Sequence, residues 1–224
     1  MACAQCEGIE REFDQAEARK KLRQLRRRGP DKTTRLLIDA LRIALDDAGS
    51  REPNLLDIGA GVGAIHHALL DDRVARAIHL DASSAHLSAA RDETERRGHA
   101  DRVEFIHGDF VALADTIPAA DVVTLDRVIC CYTDMERLVR LSAQKARRFY
   151  GAVYPRAVGW VRFGIAAINA VQWVKRSPFR VFLHSPAAID GALRAAGLER
   201  RTTRRTAGWE VVVYERRTEP APSR

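Results

Sequence analysis

The chain has 224 residues, of which 46% are hydrophobic, with a formal net charge of +7, enough for one α/β domain with a sizeable core and a modest appendage. The basic excess is mostly arginine in small groups (Arg26 to Arg28, Arg96 and Arg97, Arg147 and Arg148, Arg204 and Arg205) with no aromatic-interleaved basic element, so nucleic acid is not the expected partner. The start Met-Ala-Cys-Ala-Gln has no apolar run behind basic residues, and the longest apolar stretch, Ala157 to Val174, carries Arg162, Asn169 and Gln172; neither a signal peptide nor a membrane span is expected, and the location is expected to be cytoplasmic.

Cys3, Cys6, Cys130 and Cys131 read as cytosolic thiols. Cys3-x-x-Cys6 is half of a zinc pattern, but adjacent Cys130 and Cys131 make awkward joint ligands, so no metal is expected. Glu7 to Arg28 places Ile9, Phe13, Ala16 and Lys20 on one stripe, which predicts a single amphipathic helix stopped by Gly29-Pro30. Asp31 is a suitable N-cap for a second helix, Lys32 to Ala48, with Leu37, Leu41, Ala44 and Leu45 at helical spacing and Gly49 at its end. Residues 1–50 thus form a helical appendage with too little apolar surface to stand alone, and it must pack on the core.

From Asn54 the pattern alternates. Strands are predicted at Leu55 to Ile58, Arg76 to Leu80, Val103 to His107, Val122 to Asp126 and Phe149 to Tyr154, with helices at Ala64 to Leu70, Ser84 to Arg97, Phe110 to Ala114 and Asp134 to Arg148. Strands separated this way specify parallel βαβ units with helices on both faces. Thr133 with Glu136 predicts a capping box, and Ser185-Pro186 another helix start. Ala157 to Val174 reads as helix, followed by the run Phe179 to Leu183 and a helix Ala187 to Ala196 stopped by Gly197. Leu198 to Thr206 and Trp209 to Glu215, separated by Ala207-Gly208, predict an antiparallel hairpin at a sheet edge. The expectation is a seven-stranded sheet over residues 51–217 and a loose tail over 218–224.

Asn54 to Gly63 is an apolar strand entering a turn with Gly59, Gly61 and Gly63 behind Asp57. Glycine there brings bare backbone against a ligand, and free amides at the next helix start suit an anionic group. In an open parallel sheet ligands sit beyond the carboxyl ends of the strands, which nominates the loops after Ile58, Leu80, His107 and Asp126. Asp81 ends the second strand where an acid can bind ribose hydroxyls, with Ala82 beside it. Asp109, in Gly108-Asp109-Phe110, can take the adenine amine while Phe110 covers a ring face, although either acid could instead only cap its helix. Gly59-x-Gly61-x-x-Ala64 matches a loose dinucleotide fingerprint. Asp57 would repel a pyrophosphate and attract the sulfonium and ammonium groups of S-adenosylmethionine, which favours the latter as cofactor.

With Asp57 to Gly63, Asp81, Gly108-Asp109-Phe110 and Ala120 to Asp126, the sequence resembles the class I S-adenosylmethionine-dependent methyltransferases over Leu55 to Arg216. The resemblance implies a Rossmann-like, mostly parallel seven-stranded α/β sheet with an antiparallel C-terminal hairpin, helices on both faces and here an N-terminal helical cap. It implies that Gly59, Gly61 and Gly63 cradle the methionine part, Asp81 holds ribose, and Asp109 with Phe110 contacts adenine. The patches Leu125 to Tyr132 and Val211 to Glu215 are distantly similar to magnesium-protoporphyrin O-methyltransferases and point to a large, flat or apolar acceptor. The Asn-Pro-Pro-Tyr signature of base-methylating enzymes does not follow the fourth strand.

Methyl transfer is an in-line displacement for which alignment and exclusion of water supply most of the acceleration. Asp126, Tyr132, His184, His66 or His67 could act as a base where the acceptor still holds its proton, and Asp126 also borders the cofactor loops. Ala157 to Val174 reads as an ordinary packing helix or, with the N-terminal helices, as a cap over an apolar acceptor whose basic flanks touch a membrane surface. The expected activity is transfer to oxygen or nitrogen of a small aromatic or apolar molecule. The alternatives are an RNA-directed enzyme or basic binding module, and a cofactor-binding fold that catalyses a cyclisation or rearrangement.

Overall fold

The apolar runs at the centre of the chain form the middle of one sheet. In the computed structural model, which describes residues 4–217, the elements in chain order are α1 (Ala4–Glu12), α2 (Gln15–Arg28), α3 (Lys32–Asp47), β1 (Asn54–Ile58), α4 (Ala64–Leu70), β2 (Arg76–Asp81), α5 (Ser84–Arg97), β3 (Val103–His107), α6 (Phe110–Leu113), β4 (Ala120–Asp126), α7 (Met135–Lys145), β5 (Ala146–Pro155), α8 (Gly159–Val174), α9 (Pro186–Ala195), β6 (Leu198–Arg205) and β7 (Trp209–Arg216). The strand order is β3-β2-β1-β4-β5-β7-β6, with β7 antiparallel to both β5 and β6. Strand order reverses between β1 and β4, so the loops after these two strands open a crevice at the carboxyl edge of the sheet.

Alternation along the strands divides the core between the two faces. Leu56, Val123 and Tyr150 meet Leu138 and Val139 of α7 and Ile189 and Leu193 of α9 on one face. Leu55, Val122 and Phe149 meet Leu37 and Leu41 of α3 and Ile65 and Leu69 of α4 on the other. Each such buried side chain contributes about 1.5–3 kcal/mol. Helix α3 lies so close that a Cβ on Gly151 of β5 would come within 2.8 Å of Leu37 Cδ1. The N-terminal helices therefore differ in kind: α3 shares the core of the sheet, whereas α2 packs Ala18, Leu22 and Leu25 on Val62 and on Ala85 and Ala89 of α5.

Three local expectations are corrected. The first helix is broken at Phe13-Asp14, because the Asp14 carboxylate accepts from the Ala16 and Glu17 amides and starts α2. The N-cap of α7 is Asp134, which accepts from the Arg137 amide, in place of the expected Thr133. Helix α7 ends at Lys145, before the expected Arg148, since Ala146 already pairs with Ala120 of β4, and Arg216 donates to the carbonyls of Ala143, Ala146 and Ala196. The run Phe179 to Leu183 forms no regular element. Cys3 and the tail from Thr218 lie outside the described residues, as does the side chain of Cys6.

Candidate active site

The crevice at the switch point is a cavity of about 910 Å³, at the upper end of the ~300–1,000 Å³ typical of ligand pockets. Its floor is the glycine turn. The amides of Gly59 and Ala60 donate to the Leu80 carbonyl, and the Gly61 amide donates to Asp81 Oδ2 at 2.8 Å, so the turn is tied to the end of β2. Gly61 has φ +59° and a Cβ there would meet nothing within 4 Å, so this position opens directly on the cavity. Gly59 also lines it, with Val128 behind. Gly63 does not line it: this residue starts α4, and a Cβ there would fall 2.4 Å from His66 Cε1. The third glycine answers to packing.

Asp81 is buried, and its other oxygen accepts from the Ser83 amide at 2.8 Å. Burial pushes its carboxyl above the ordinary range against the pull of His86. It does not cap α5; Ser83 does. Asp109 is the N-cap of α6, accepting from the Val111 amide at 3.0 Å, and it also accepts from the Tyr132 hydroxyl at 2.9 Å. Ala82, Gly108 and Phe110 line the cavity beside these two acids. Asp57 Oδ1 accepts from Thr124 at 2.7 Å, while Oδ2 has no hydrogen-bond partner. Burial raises Asp57 to about 7. His66 Nδ1 stands 3.5 Å away, but burial depresses His66 to about 3, so no ion pair forms between them. A buried acid and an open glycine, both lining the cavity, fit a ligand with a cationic head and little bulk against the turn.

The expected proton acceptors are placed unequally. Asp126 lines the cavity, but its oxygens take bonds from Arg127 Nε at 3.0 Å, Arg127 Nη2 at 3.1 Å and the Thr34 hydroxyl at 2.6 Å. Burial raises its carboxyl while Arg127 and Thr34 draw it back. Tyr132 lines the cavity with its hydroxyl on Asp109. His184 is not among the lining residues and donates Nε2–H to the Tyr132 carbonyl at 2.8 Å. Cys130 and Cys131 line the wall with sulfurs 3.9 Å apart. The hydrogen bond to Cys131, together with burial, pushes the Cys130 thiol well above its ordinary value, which makes it a poor nucleophile. Among the described residues no cluster suits a metal ion.

His66 and His67 point away from the cavity into a buried group with His79 and His99. Burial, assisted by neighbouring positive charge, lowers all four below the ordinary histidine range, His67 to about 2. The unfolded chain binds protons at these rings below about pH 6.5 and the folded chain only at lower pH, so this stability is present above 6.5 and lost on acidification. Asp57, Asp81 and Asp126, whose folded values are raised, oppose the trend over part of the window. His79 has neither ring nitrogen hydrogen-bonded. His79→Leu should therefore be more stable than the parent by about 2 kcal/mol at pH 5 and within about 1 kcal/mol of it at pH 7.5. Urea unfolding at the two pH values reads this, and an equal difference at both would contradict it.

Other wall residues come mainly from the segments that the sequence offered as a cap. Phe13 reaches the cavity from the break between α1 and α2, Glu17 and Lys21 from α2, Trp160 and Ile165 from α8, and Phe179 from the irregular run behind it. Glu17 Oε2 is 2.8 Å from His86 Nε2, and the Phe13 carbonyl accepts from the Ser83 hydroxyl, so α2 and the residues before it are fastened beside Asp81. Asp31, legible only as a helix cap, also accepts from Arg127 Nη1 at 2.7 Å.

A family description, methyltransferase domain, matches residues 56–147. Comparison with curated proteins yields no match. Among solved structures, the magnesium protoporphyrin IX methyltransferase ChlM of Synechocystis PCC 6803 with bound S-adenosylhomocysteine is similar at a TM-score of 0.67 and 17% identity, over 92% of this chain and 98% of that one. An O-methyltransferase family 2 protein of Planctomyces limnophilus in complex with apigenin is similar at 0.58 and 20%, over 82% of this chain and 62% of that one. The [4+2]-cyclase SpnF is similar at 0.59 and 16%, over 80% of each chain. At these identities the likeness establishes the fold, and the domain match covers the glycine turn and the three following strand ends that line the cavity. Residues 56–147 carry a methyltransferase domain, set within a fold that this chain shares with S-adenosylmethionine-dependent methyltransferases.

Proposed function

We propose that the enzyme moves the methyl group of S-adenosylmethionine to an oxygen or nitrogen of a small aromatic or otherwise apolar acceptor by in-line displacement. The observation that carries this reading is the cavity wall beyond the glycine turn, where Phe13, Trp160, Ile165, Ile168, Phe179 and Trp209 converge. Porphyrin and apigenin, named with two similarly folded proteins, are of this chemical kind.

When bound, the cofactor supplies an electrophilic methyl group on a sulfonium. The backbone of Gly59 and Gly61 would hold its methionine part, with Asp57 near the ammonium, Asp81 would take the ribose hydroxyls, and Asp109, Gly108, Ala82 and Phe110 would surround adenine, all of them residues that line the cavity. Apolar walls exclude water and align the acceptor, which supplies most of the rate. The reading assigns no general base: Asp126 is held by Arg127 and Thr34 and acts as a positioning residue, Tyr132 shapes the wall, and His184 stands outside it.

The test incubates the purified enzyme and S-adenosylmethionine carrying a labelled methyl group with a panel of flavonoids, porphyrins, phenols and arylamines, and in parallel with RNA. Label in an organic-extractable product supports the reading; label in RNA alone overturns it. Ile165→Trp fills the acceptor space and should cut transfer to the best small acceptor about tenfold or more, since a large side chain forced into such a site is not accommodated. Calorimetric affinity for S-adenosylhomocysteine should stay within twofold of the parent.

A further inference from the structure

Helix α8 is turned inside out. Its two amide side chains face the protein: Asn169 Nδ2 donates to the Val181 carbonyl at 2.8 Å, its Oδ1 accepts from the Val181 amide at 2.9 Å, and Gln172 Nε2 donates to Glu12 at 2.8 Å. Its large apolar residues face outward, with Phe163 78%, Trp173 73%, Val174 73%, Trp160 60% and Val171 52% exposed. A contiguous apolar face of this size on a helix marks an interaction surface.

The segments flanking that face carry charge of one sign. No carboxylate occurs between Glu136 and Asp190, whereas Arg162, Lys175, Arg176 and Arg180 lie on α8 or just behind it. Glu12, the acid that reaches α8, is occupied by Gln172 on the inner side. A second copy of the chain docked here by a two-fold axis would bring like charges together. A basic rim around exposed tryptophan, phenylalanine and valine instead complements an anionic phospholipid surface, with tryptophans near both ends at headgroup depth. No described helix is long and apolar enough to cross a membrane, so contact would be interfacial.

The geometry points to α8 as a membrane-surface anchor: the outer face of Gly159–Val174 lies in the headgroup region of an anionic bilayer, with Arg162 and Lys175 on lipid phosphates. The same helix lines the cavity with Trp160, Val161, Gly164, Ile165 and Ile168, so docking brings the mouth of the site against the lipid. This anchor stands on the outer face of the helix and does not depend on the acceptor assignment.

Flotation of the full-length protein with vesicles tests it. Vesicles of phosphatidylglycerol and phosphatidylcholine should carry the protein and shift its tryptophan emission to the blue, and pure phosphatidylcholine vesicles should carry little. The triple variant Phe163→Ser, Trp173→Ser, Val174→Ser should lower partitioning about tenfold or more. Arg162→Glu with Lys175→Glu should lower it to a similar degree, because each basic group near the surface is worth about fivefold. Retained calorimetric binding of S-adenosylhomocysteine establishes that both variants are folded. Absence of vesicle binding, variants that partition like the parent, or a dimer in sedimentation velocity that the triple variant abolishes would each overturn the anchor.

Discussion

Gly61→Val should weaken S-adenosylhomocysteine binding at least a hundredfold by calorimetry while leaving a folded protein. Residue 61 sits at φ +59°, and a Cβ there finds no atom within 4 Å because it projects into the cavity. A branched side chain would stand in the space proposed for the methionine part of the cofactor. The left-handed backbone costs a non-glycine residue about 1–2 kcal/mol, a modest loss in urea unfolding, whereas a hundredfold in affinity is about 2.8 kcal/mol. Gly63→Val should behave in the opposite sense. Its Cβ would press 2.4 Å from His66 in the interior, so stability falls more than with Gly61→Val. If Gly61→Val bound the ligand like the parent, the turn would not be the cofactor cradle.

Arg127→Ala should cost about 2–4 kcal/mol of stability, which urea denaturation measures. Arg127 bonds Asp31 at the start of α3, Thr34 one turn later and Asp126 at the end of β4. Removing it leaves Asp126 buried beside Asp31 without a cation. Breaking a buried pair typically costs ~3–5 kcal/mol, and the lower figure reflects the partial exposure of Arg127 and Asp31. The sign of the pH dependence follows from Asp126. Its folded value is already raised by burial, and loss of Arg127 raises it further. A carboxyl with a raised folded value destabilises as pH rises from its unfolded value through its folded one. The deficit relative to the parent should therefore be larger at pH 8 than at pH 5. Arg127 also carries a positive φ of +64°, so Arg127→Gly should recover about 1 kcal/mol of what Arg127→Ala loses. A loss below 1 kcal/mol at both pH values would show that the latch does not hold α3 to the sheet.

The local code of this chain is most legible where neighbours in sequence are neighbours in space. Short strand-like runs bounded by turns placed all seven strands to within a few residues, and the cap at Asp31, the left-handed turn at Gly61 and the hairpin at Ala207-Gly208 rest on residues within one turn of each other. Asp81 and Asp109 were nominated because strand ends in a parallel sheet open on one edge, and both lie on the cavity wall. The break at Phe13-Asp14 was hidden by an apolar stripe that continues through it.

From the sequence alone, the sheet, its strand direction, the glycine turn and the chemistry of the cofactor were determined, because periodicity and backbone conformation are properties of short segments. Tertiary structure alone decided that Asp126 is captured by Thr34, 92 residues away in the chain, that His66 and His67 turn into a buried histidine group, and that α8 faces its apolar side outward. Each of these depends on which surface a segment meets after folding. A hydrogen bond or a buried ring is set by distance in space, and pattern along the chain carries no record of that distance.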